Sequence, residues 1–92
     1  MSDSDLFANG INFDARATFR KWPSLNGQRR IDSSGPYLLM DGTLDACIRE
    51  FLAKPPAARH LYEIHTSPQP PLVDAVVSGE IVAELAHLRD FL

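Results

Sequence analysis

The sequence predicts a small α+β domain: two amphipathic helices, at about 43–54 and 79–91, packed on a small sheet that includes 60–65. Three observations carry this. Leu44, Cys47, Ile48, Phe51 and Leu52 recur at i, i+3, i+4, i+7 and i+8, one continuous apolar helical stripe. Ile81, Val82, Leu85, Leu88 and Leu92 form a second stripe near the C-terminal end. Between them, His60-Leu61-Tyr62-Glu63-Ile64-His65 contains strand formers and is closed by Ser67-Pro68-Gln69-Pro70-Pro71. An all-α alternative remains if 37–40 extends the first helix backwards and 72–77 is helical.

Residues 1–10 read as a loosely ordered leader, acidic and polar up to the turn pair Asn9-Gly10, followed by a single globular domain over 11–92. Residues 11–22 carry two periods at once. Ile11, Phe13, Ala15, Ala17 and Phe19 alternate with polar residues, as in a half-buried strand. Ile11, Ala15, Phe19 and Trp22 also share a helical face, and the Ala, Arg and Lys content favours a short helix over 14–22, stopped by Pro23. The strand alternative continues into a hairpin at Asn26-Gly27. Residues 23–36 read as loop. Tyr37-Leu38-Leu39-Met40 reads as a short buried strand.

Asp41 or Thr43 caps the first helix. Asp45–Arg49 and Glu50–Lys54 have the favourable acid-first i,i+4 spacing, and Pro55-Pro56 ends the helix. Run, helix and run from Tyr37 to His65 outline a βαβ unit. Leu72–Val77 forms a third strand in this reading, and Ser78 caps the last helix.

The chain has 92 residues, enough for one domain that buries roughly 60–65% of the surface its unfolded form exposes. It contains no apolar run of the roughly 18 residues that span a bilayer. Its single Cys47 cannot form an internal disulfide, which fits a reducing, cytoplasmic setting. The Arg and Ala bias is compatible with a bacterial source.

Charge is the feature with functional content. Residues 1–15 carry a net −3, residues 16–30 a net +5 and residues 31–92 a net −5. The basic window holds Arg16, Arg20, Lys21, Arg29 and Arg30, with Phe19 and Trp22 among them. Guanidinium forks grip carboxylate or phosphate, and an exposed aromatic stacks on a base. We therefore take Arg16, Arg20, Lys21, Trp22, Arg29 and Arg30 as the candidate partner-binding residues.

No complete catalytic motif is present. Leu38–Leu44 resembles the first motif of the haloacid-dehalogenase-like phosphotransferases only in Asp41-Gly42-Thr43. Leu39 stands where that family carries its nucleophilic aspartate, so these residues read as a turn and an N-cap. Glu84-x-x-His87 has metal-pair spacing, but only one such motif occurs. His60, Glu63 and His65 place two ligands on one strand face, short of a zinc set unless His87 joins them. Cys47 lies inside an apolar stripe, where a thiol is a small hydrophobe. The polyproline-like run at 67–71 reads as a stiff connector.

The sequence thus predicts a non-enzymatic binding or regulatory module without cofactor, engaging a protein partner or itself through a basic surface. Nucleic-acid binding through 16–30 is the first alternative, and a metal-dependent activity of the histidines the second.

Overall fold

The computed structural model describes residues 11–70 and 73–90; the predicted leader at 1–10, Pro71, Leu72 and the terminal Phe91-Leu92 lie outside the described residues. The fold is α+β, as predicted, and the all-α alternative is excluded by a four-stranded sheet. The elements are β1 (Arg16–Lys21), β2 (Ser24–Leu25), β3 (Gln28–Arg29), β4 (Tyr37–Thr43), α1 (Leu44–Ala53), a 3-10 turn (Pro56–Leu61), β5 (Tyr62–Thr66), β6 (Val76–Val77) and α2 (Gly79–Arg89).

The strand order is β4-β1-β5-β6, every neighbouring pair antiparallel. The predicted βαβ outline is present in split form. β4 and β5 run parallel, and β1 lies between them. This overturns the helix expected over 14–22. A helix over these residues would satisfy its own backbone, but β1 finds partners on both sides, and Ala17 and Phe19 then point together into the core. The strand runs on towards the β2–β3 hairpin, where Asn26 and Gly27 both take positive φ (55° and 77°), as a two-residue type I′ turn requires.

α1 follows β4 without a loop. The Thr43 hydroxyl accepts from the Ala46 N–H at 3.1 Å and caps it. Leu44, Cys47, Ile48 and Phe51 are all buried, as the stripe requires. They meet Ala17, Phe19, Ile64, Val77, Val82 and Leu85 in one core. Phe19, 1% exposed, stacks on Tyr62 at 5.2 Å and meets Phe51 edge-on at 6.5 Å. Full burial of such a ring contributes about 1.5–3 kcal/mol. α2 is tied to α1 by Arg89, which donates to Asp45 at 2.9 Å while Arg49 donates to the same carboxylate. The second expected pair is not formed: Lys54 turns away from Glu50 and lies over the Phe19 and Tyr62 rings, 5.9 and 5.5 Å from their centroids.

Two boundaries move, and one strand expected to be buried is exposed. His60 and Leu61 belong to the 3-10 turn, so the strand predicted over 60–65 begins at Tyr62. Among the described residues of the strand predicted over 72–77, Val76–Val77 forms the segment paired with β5, with Val73 in an isolated bridge to Gln69. Residues 37–40 are a strand, but an edge strand and not a buried one. Tyr37, Leu38 and Leu39 are 46%, 53% and 45% exposed, because among the described residues β4 has a neighbour only on its β1 side.

Candidate functional site

Register sorts the basic residues between the two faces of the sheet. Phe19 and Ile64 face the helices, so Arg20, opposite Leu38 and Glu63, faces away from them. Arg16 lies on that outer face and pairs with Asp41 at 3.1 Å. Lys21 lies on the helix side, with its ammonium 5.8 Å from the centroid of the Tyr62 ring. Arg30 pairs with Asp32 at 3.5 Å. The basic window is therefore divided, with three of its five cations facing a carboxylate. Among the described residues, no carboxylate lies within ion-pair distance of Arg20 or Lys21.

Arg29 is built into the fold. It donates through Nε to the His60 carbonyl and through Nη1 to Glu63 Oε2 at 2.9 Å. Its guanidinium lies 5.3 Å from the centroid of the Trp22 ring. His60 in turn bonds through Nε2 to the Gly27 carbonyl. These contacts clip the hairpin to the body of the domain. They also cover the aromatics expected to stack on a ligand: Phe19 is core, and one face of Trp22 carries Arg29.

Glu63 is the hub of this cluster. Burial pushes its carboxyl up, but Trp22, His65 and Arg29 outweigh that and hold it below its ordinary value. His65 Nε2 is 2.9 Å from Glu63 Oε1. The Trp22 indole N–H is buried and adds to the favourable field at Glu63, yet it meets no acceptor with full hydrogen-bond geometry. The histidines do not converge, and among the described residues no group of three His, Cys, Asp or Glu side chains is placed to hold a metal ion. Burial, with Asp41 and Glu50, pushes the Cys47 thiol up to about 11, far from the thiolate that nucleophilic chemistry requires.

Two surfaces were not legible in the sequence. The first is the outer edge of β4, which pairs with no other strand among the described residues. Of the six exposed large hydrophobics among the described residues, five (Leu25, Ile31, Tyr37, Leu38 and Leu39) lie between residues 25 and 39, on the hairpin, the connector and β4. No Lys, Arg or Pro interrupts Tyr37–Thr43, the residues that ordinarily block strand addition. A β-bulge opposite Phe19 and Arg20 bends the strand at Leu39. There Leu39 and Met40 border a shallow cleft of about 300 Å³, closed by Phe19, Glu50 and Lys54.

The second is a larger cleft of about 530 Å³ beside β5, between the 3-10 turn and the start of α2. It brings Arg29 together with Arg59, which no charge pattern connects. Arg59 donates to the Leu52 and Lys54 carbonyls at 3.0 and 3.1 Å and so finishes α1. Among the described residues, no helix is long and apolar enough to cross a membrane. No known protein family, curated protein or solved structure matches this chain, so its geometry alone carries a functional reading.

Proposed function

We propose that the protein is a small binding module whose partner is an extended, acidic and apolar protein segment that adds to β4 as a fifth strand. The observation that carries this reading is the apolar edge of β4, which has no strand partner among the described residues and is bordered by the Leu39–Met40 cleft. Strand addition draws affinity from main-chain hydrogen bonds and specificity from recesses that accept alternate side chains. An added strand sends alternate side chains to opposite faces. Those on the helix side meet Leu39, Met40 and Lys54. Those on the outer face meet Leu38 and Arg20. Arg20 and Lys21, uncompensated by carboxylates among the described residues, favour acids in the incoming segment. The basic window thus contributes flanking charge to a largely apolar contact. A reducing, cytoplasmic location belongs to the same proposal and rests on the lone, core-buried Cys47.

The test uses two extended peptides of about eight residues, one alternating Leu with Glu and one alternating Leu with Lys. The Glu peptide is expected to bind saturably and to weaken with added salt. Leu39→Lys is expected to weaken it about tenfold, since ~1.4 kcal/mol is a factor of ten. Equal binding of the Lys peptide, or no saturable binding of either, overturns the proposal. A dimer in sedimentation that Leu39→Lys dissociates, with no peptide bound, would replace the partner by a second copy of the chain.

A further inference from the structure

We infer that the cleft beside β5 is a binding site for a small organic monoanion, a carboxylate carried on an apolar or aromatic body. Its volume of about 530 Å³ falls in the range of small-molecule sites. Its lining divides by chemistry. Tyr62 and Val76 supply apolar surface over the buried Phe51 and Val77, while Arg29 and Arg59 supply fixed positive charge. A guanidinium keeps its charge at every accessible pH and presents its donors in a rigid fork.

Both arginines are held before any ligand arrives. Arg29 is anchored by the His60 carbonyl and Glu63, and Arg59 by the Leu52 and Lys54 carbonyls. Each anchor set occupies Nε and one terminal nitrogen. Among the described residues, Arg29 Nη2 and Arg59 Nη1 have no partner. Side chains already immobilised lose little entropy when they bind, which favours affinity.

Two carboxylates also line the cleft and limit the ligand's charge. Glu63 is ion-paired with Arg29 and hydrogen-bonded to His65, and Glu80 stands exposed at the first turn of α2. Two guanidiniums and two carboxylates cancel, so an anion is held by the two unpartnered guanidinium nitrogens and not by net positive charge, and Glu63 and Glu80 disfavour a second negative charge on it. A singly charged carboxylate on a ring or short alkyl body fits this lining better than inorganic phosphate does. The site is separate from the β4 edge, and neither proposal requires the other.

The decisive experiment is a titration of ¹⁵N-labelled protein with phenylacetate, with benzyl alcohol as the neutral control and inorganic phosphate as the bare anion. Phenylacetate is expected to shift the Arg29 and Arg59 Nε–H signals and the Gly79 and Glu80 amides saturably. Both controls are expected to bind at least about tenfold more weakly, a difference of ~1.4 kcal/mol. Arg59 finishes α1, so its removal would confound binding with folding. The half-exposed Val76 is the cleaner position. Val76→Glu puts a like charge on the rim and is expected to weaken phenylacetate about tenfold with an unchanged circular dichroism spectrum. Absence of saturable shifts, an equal response to benzyl alcohol, shifts confined to other surfaces, or unaltered binding by Val76→Glu in a folded protein would each overturn the inference.

Discussion

Glu63 holds together parts of the chain that are far apart in sequence. It receives Arg29 from the hairpin and His65 from its own strand, and its carboxyl is held below the ordinary value despite burial. A carboxyl lowered in the folded state contributes stability that is complete above its unfolded value and is lost as pH falls through its folded value. Glu63→Gln is therefore expected to cost about 1–2 kcal/mol at neutral pH, since Arg29 is partly solvated and loses a charged acceptor. The same substitution should flatten the loss of stability below the ordinary carboxylate range. Urea unfolding across that range measures both effects, and an acid limb as steep as that of the parent protein contradicts the assignment. Cys47 gives a second residue-level expectation. Its thiol is buried and pushed up to about 11, so alkylation by iodoacetamide should proceed only as fast as the core opens. Rapid labelling in native buffer would contradict that burial.

At the scale of elements, local and tertiary demands agree in α1 and compete in β1. The α1 stripe spans ten residues with a cap at one end and two prolines beyond the other, so one period accounts for all of it. Thr43→Ala should lower stability by about 1 kcal/mol through loss of that cap, measured by thermal unfolding. β1 is six residues long, and over so short a span Ala17 and Phe19 satisfy period 2 while Phe19 and Trp22 satisfy period 3.6. Only the partners on either side decide the matter, and these come from residues 37–43 and 62–66. The Asn26-Gly27 hairpin is the local signal that agrees with the strand. Gly27→Ala should cost about 1 kcal/mol because φ is +77° there, and the loss should extend to the Arg29 contacts the turn positions. β4 shows the opposite failure of local reading. Tyr37-Leu38-Leu39-Met40 is as apolar as a central strand, and nothing in those four residues records that they lie at an edge.

For the molecule as a whole, helices cover one face of the sheet and both candidate sites lie along its margins. One is the edge of β4 that no described strand covers, the other the cleft where β5 meets the start of α2. The charge segregation seen in the sequence is present in the structure, but the fold divides it. Arg29 becomes a structural clip, Arg16 and Arg30 find acids, and Arg20 and Lys21 are left to flank β4. Arg59 enters the picture only because the turn at Pro56–Leu61 carries it back over the end of α1. The sites were illegible for that reason: each is a meeting of residues from separate elements, and neither has a motif. Strand addition at β4 is tested by amide hydrogen exchange with and without the Leu-Glu peptide. New protection is expected to be confined to Tyr37–Thr43, with unchanged exchange in β6 and the hairpin. Protection gained elsewhere, or none on β4 at saturating peptide, would contradict it.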